Sequence, residues 1–94
     1  MGAFYFRSYN RIIGRASDVR ELAREMSRLD WENPGAVVYH LKQGHIAGWL
    51  ESIGEKELAD ELRNVTTISE ARRRIEKSVE RSVIVHTMQV GRMH

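Results

Sequence analysis

The sequence predicts a mainly α fold: a compact bundle of about five helices with a small N-terminal β hairpin, forming one domain over residues 1–94. Three observations lead there. Apolar residues recur at helical spacing in five segments punctuated by Gly, Pro and capping residues. The opening residues are instead aromatic and β-branched around a polar turn. With 94 residues, 41% hydrophobic and 30% charged, the chain suits one core, leaves no room for a deep cleft, and is too apolar and too balanced in charge to stay disordered.

FYFRSYNRII places aromatic and branched residues on both sides of Ser8-Tyr9-Asn10, so residues 4–7 and 11–13 pair as a hairpin, and Gly14 ends the run. Asp18-Val19-Arg20-Glu21 has the form of a capping box and starts a helix whose inner stripe is Val19, Leu22, Ala23, Met26 and Leu29. Asn33-Pro34 starts a second, since proline fits the first helical position without losing a hydrogen bond. Val37, Val38 and Leu41 face inward, and Gly44 ends or bends it.

Ile46, Trp49, Leu50 and Ile53 give the third helix its i, i+3, i+4, i+7 stripe, with Gly54 as a left-handed cap. Residues 55–63 form a fourth around Leu58, Ala59 and Leu62. A second capping box, Thr67-Ile68-Ser69-Glu70, opens the longest helix. In it Ile68, Ala71, Ile75 and Val79 gather on one side and Arg73, Arg74, Lys77 and Arg81 on the other. Residues 82–90, SVIVHTMQV, read either as more helix through His86 or, favoured by their β-branched content, as a C-terminal strand joining the hairpin.

Charge is unevenly placed although the net value is only +2. Residues 1–28 carry six arginines against three acids, residues 29–61 two lysines against seven acids, and residues 62–94 seven basic residues against three acids. An acidic middle between basic ends can orient a charged partner. Arginine outnumbers lysine twelve to three, which fits a heat-adapted or GC-rich source as well as a binding need. Without cysteine there is no disulfide or thiolate site. With no long apolar run either, the expectation is a cytoplasmic protein without membrane association.

The candidate sites are three. His40 and His45 are five apart, off the i, i+4 spacing that places two imidazoles on one helical face, although a bend at Gly44 can unite them. Their expected role is at the core boundary, with His45 stacked beside Trp49 and donating to a backbone carbonyl, so no metal and no cofactor is expected. Residues 57–77, ELADELRNVTTISEARRRIEK, resemble the helix-turn-helix of DNA-binding domains. Leu58-Ala59-x-x-Leu62 would form the first helix, and Arg72, Arg73, Arg74, Lys77 and Arg81 would be available to phosphates. Glu70, Glu76 and Glu80 interleave with those arginines, as on an ordinary solvated face. Catalysis has no support: there is no Gly-x-Ser-x-Gly elbow or phosphate loop, and the paired Glu57 and Glu61 lack an apolar pocket.

The order of an aromatic opening strand, a capped helix ending near Leu29, Tyr39-His40, Ile46-x-x-Trp49-Leu50, Ile53-Gly54 and Leu58-Ala59-x-x-Leu62 resembles the family catalogued as domain of unknown function 5752, over roughly residues 4–80. The segment Gly44-His45-Ile46 departs from that family's Asn-Asp-Phe. The resemblance implies a compact helical module that recurs beside different partners and brings no catalytic or binding residues with it. The functional expectation is therefore a non-catalytic module binding a protein partner or a second copy of itself. Nucleic-acid or ribosome binding through residues 72–81 is the alternative, and a metal or ligand site at His40 and His45 the third reading.

Overall fold

The computed structural model describes residues 2–91, with side chains to residue 81. Two antiparallel strands, β1 (Phe4–Ser8) and β2 (Arg11–Ala16), are followed by α1 (Val19–Glu32), α2 (Pro34–Lys42), α3 (His45–Ser52), α4 (Lys56–Leu62) and α5 (Ile68–Gly91). The mainly α bundle with an N-terminal hairpin is thus the observed architecture.

In β1 the period of two is plain: Phe4 and Phe6 are buried while Tyr5 and Arg7 are exposed. Two strands alone are marginal in water; the hairpin is held by packing β2 on α1 and β1 on α2. Tyr9, in the turn, takes a positive φ of 56° and is completely exposed. Contrary to the sequence expectation, Gly14 does not end the strand. It pairs with Phe6 beside a bulge, and β2 continues to Ala16. A Cβ at Gly14 would come within 3.0–3.3 Å of side-chain atoms of Arg28, Glu25 and Leu29, so any other residue there would require those side chains of α1 to give way by a few tenths of an ångström. The Arg28 guanidinium donates to the Ile13 carbonyl across the same contact.

The first capping box forms, with a shift. Asp18 Oδ1 accepts from the Glu21 amide at 2.8 Å, and Glu21 Oε1 accepts from the Ser17 amide at 2.7 Å, one residue earlier than the usual reciprocal bond. Leu22, Met26 and Leu29 are buried as the stripe requires. Asn33 caps α2 by accepting from Ala36, with Pro34 in the first turn. Gly44 and Gly54 adopt φ of 75° and 91°, breaking the chain before and after α3.

Trp49 and Leu50 of α3 join Phe6, Met26, Leu62 and Ile75 in one core. Burying each large side chain contributes about 2–3 kcal/mol. The indole Nε1–H, which would be costly to leave unpaired, donates to the Gly2 carbonyl at 2.9 Å. Two further expectations fail. Glu70 does not complete a capping box with Thr67, because its carboxylate bonds Arg73 and Arg74 instead. The C-terminal strand is not formed either: the backbone stays helical to Gly91. Extending an existing helix adds one hydrogen bond per residue, and β-branched residues give up only a few tenths of a kcal/mol each, roughly, against better helix formers.

Candidate functional site

The left-handed Gly44 turns α3 back against the last turn of α2, and this unites two residues that the helical spacing keeps apart. Nδ1 of His40 lies 3.0 Å from Nδ1 of His45. On its other edge His40 Nε2 accepts the Arg7 amide of β1 at 2.9 Å. His40 is only 4% exposed, with Phe4 and Phe6 edge-on to its ring at 5.3 and 5.8 Å. Burial, and next the neighbouring His45, push it below the ordinary imidazole value of 6.5. The neutral ring is a polar bolt joining β1, α2 and α3.

His45 is exposed and does not stack on the indole as expected. Its aromatic neighbours are Tyr39 at 5.7 Å and His40 at 5.2 Å, whereas Trp49 packs near Phe4 at 5.8 Å. The bend reverses the direction from which Tyr39 and His40 approach, so the tertiary neighbour wins over the i, i+4 one. No group of three or more His, Cys, Asp or Glu able to hold a metal occurs among the described residues. A cation between the two Nδ1 atoms would have to break their hydrogen bond and would lack the further donors zinc takes.

Above this pair lies an open groove of about 830 Å³ between β1 and the start of α2. Tyr5, Tyr9 and Tyr39 line it with large exposed rings, Phe4 and His40 contribute buried ones, and Arg7, Ser8, Asn33 and His45 supply polar groups. Asn33 Nδ2 donates to Ser8 Oγ at 3.2 Å and ties the two walls together. Trp49 is buried and outside the lining. Sequence reasoning missed Arg7 and the tyrosines as site residues. The signal was present in the alternation of FYFR, which sends Tyr5 and Arg7 outward together.

The basic face of α5 is differently disposed. Arg72 turns to α1, reaching Asp30 at 2.8 Å and Ser27 at 3.1 Å. Arg73 and Arg74 both hold Glu70 at 2.6 Å, which keeps its carboxyl down at about 2 through those two hydrogen bonds. Arg74 and Arg81 also reach Glu61 at 3.5 and 3.8 Å. Lys77 is exposed and, among the described residues, has no ion-pair partner. α4 packs against α5, and Ala59 and Ala71 are fully buried. Comparison of the chain with protein-family models, with curated proteins and with solved structures gives no match.

Proposed function

We propose that this protein is a non-catalytic interaction module that binds an acidic, extended segment of a partner protein in the groove between β1 and α2. One observation carries the reading: Arg7, without a carboxylate partner among the described residues, stands beside three exposed tyrosines in a single open groove. Large apolar rings exposed together are unusual on a surface with no partner. Tyrosine and arginine are also the side chains from which binding hot spots are most often built. Arg11 and Arg15, likewise exposed and unpaired on β2, extend the positive field. The resemblance to the domain of unknown function 5752 family is part of the proposal and agrees with a module that recurs beside different partners, as does a cytoplasmic setting. No helix among the described residues is long and apolar enough to cross a membrane.

Fluorescence anisotropy of a labelled peptide rich in Glu and Asp, titrated at several salt concentrations, tests this. Binding should weaken with salt, and Arg7→Glu and Tyr9→Ala should each lower affinity about tenfold or more. If neither substitution matters, or no binding occurs at low salt, the groove is not the site. A second copy of the chain as the occupant would appear as a dimer by light scattering.

Nucleic-acid or ribosome binding is the second reading, favoured by the exposure of Arg73, Lys77 and Arg81 on one side of α5. A labelled duplex in the same titration would then lose roughly 0.9 log units of affinity per log unit of salt for each phosphate contacted. Glu70 and Glu61 compete with phosphate for three of the arginines concerned.

A further inference from the structure

The His40–His45 pair admits one arrangement of protons. The Arg7 amide aims its hydrogen at His40 Nε2, so that nitrogen must keep its lone pair and the neutral ring carries its proton on Nδ1. Two N–H groups cannot face each other across 3.0 Å, so His45 Nδ1 accepts. The neutral His45 ring then carries its proton on Nε2. The reverse arrangement would make both nitrogens of His40 acceptors and leave that ring with no proton at all. Donors therefore run in one direction, from the β1 backbone through buried His40 to exposed His45, and a chain of this kind strengthens its last donor.

With Nδ1 engaged, His45 has one nitrogen left to offer, and it can only donate. We propose that His45 is the acceptor-selecting residue of the groove, its Nε2–H binding an aspartate or glutamate carboxylate of the partner segment. This rests on the groove being the binding surface and names the contact that would choose its ligand. Two other polar side chains of the rim, Arg7 and Asn33, agree. The Arg7 guanidinium has donors only, and Asn33 has already turned its oxygen to the Ala36 amide. A lysine or arginine of a partner would find no acceptor at His45 and would meet the charge of Arg7. His40 is a positioning residue: it fixes which nitrogen of His45 bears the proton.

Long-range ¹H–¹⁵N spectra of the histidine side chains at pH 7.5, assigned with H40A and H45A, read the proton positions directly. The expected result is Nδ1–H on His40 and Nε2–H on His45, with His45 Nε2 moving when the Glu/Asp-rich peptide is added. In anisotropy, H45A should weaken that peptide about tenfold, as expected for loss of one hydrogen bond to a charged group. His45→Gln, which keeps a side-chain donor, should retain most of the affinity. Since His45 is exposed at the first position of α3, both variants should keep the helical circular dichroism of the unaltered protein. A proton on His45 Nδ1 overturns the proposal. So does H45A leaving affinity unchanged while Arg7→Glu lowers it, an outcome in which the groove remains the site. No peptide binding by the unaltered protein overturns both.

Discussion

Arg7, Arg11, Arg15, Arg20 and Arg24 are exposed with no carboxylate at ion-pair distance among the described residues, whereas Arg72, Arg73, Arg74 and Arg81 each face one. By sequence the two ends of the chain look alike, both basic and both rich in arginine. Folding separates them. Acids of the middle segment and of α5 itself pair with the C-terminal set, whereas at the N-terminal end Arg28 pairs with Glu25 and Glu32 and the other five arginines have no carboxylate at ion-pair distance among the described residues. A guanidinium already bonded to a carboxylate must give up that bond to take a phosphate or another carboxylate, while an unpartnered one gives up only water. Available charge, rather than counted charge, is what the proposed acidic partner would meet at the hairpin end.

The sharpest way to break this contrast is through stability. Arg72 is half-buried, bonds Asp30 and Ser27 across 42 and 45 residues of chain, and has a buried Nε without a hydrogen-bond partner. Arg72→Ala should destabilise the fold by about 2 kcal/mol, a fall in Tm of about 10 °C for a domain of this size. Arg11→Ala and Arg15→Ala should stay within about 0.5 kcal/mol. Thermal melts in which Arg15→Ala costs as much as Arg72→Ala would show that the hairpin set is structural after all.

Acid should act on the two ends in different pH ranges. His40, faced by Arg7 of β1, Tyr39 of α2 and His45 of α3, is held neutral by burial, so its folded-state value lies below 6.5. As pH falls below 6.5 the unfolded or opened chain takes up the proton more readily than the folded one, and the stability due to the neutral ring is progressively lost. Glu70 is depressed from 4.5 to about 2, so its pairing with Arg73 and Arg74 persists above about 4.5 and fails only as pH drops through 2. Hydrogen exchange followed from pH 7.5 to 5 should therefore show β1 amides losing protection before those of α5, and the order should disappear in His40→Gln.

The smallest expected effect converts one end into the other. Glu70→Gln frees Arg73 and Arg74 from their shared partner with little loss of stability, since exposed ion pairs contribute little. Retention on a heparin column should increase. Unchanged retention would mean that ion pairing does not silence α5.

Most of the scaffold was legible because its signals are local. The stripe of Val19, Leu22, Met26 and Leu29, the Asn33-Pro34 cap, the break at Gly44 and the left-handed cap at Gly54 depend on residues a few positions apart. Of the two readings of residues 82–90 the helical one holds and the favoured strand does not, because a β-branched run continues a helix already propagating into it. Gly14 was misread as well: a breaker in composition is, in three dimensions, a strand position against which side chains of α1 pack closely. The site was less legible. The bend at Gly44 could be foreseen, and with it the meeting of His40 and His45, but the Arg7 amide that fixes their protons comes from another element 33 residues away. The pairing of Arg73 and Arg74 with Glu70 is local and was legible, whereas Arg72 meets Asp30, and Arg74 and Arg81 meet Glu61, only because α5 packs on α1 and on α4.

The positive φ of Tyr9 has its own implication. Glycine would hold this turn without opposition from a Cβ, and an L side chain in the left-handed region gives up about 1 kcal/mol. Tyr9→Gly should accordingly raise the melting temperature by a few degrees, roughly in proportion. A ring kept wholly in water at a position that local sterics disfavour is what selection for the proposed external contact would leave behind.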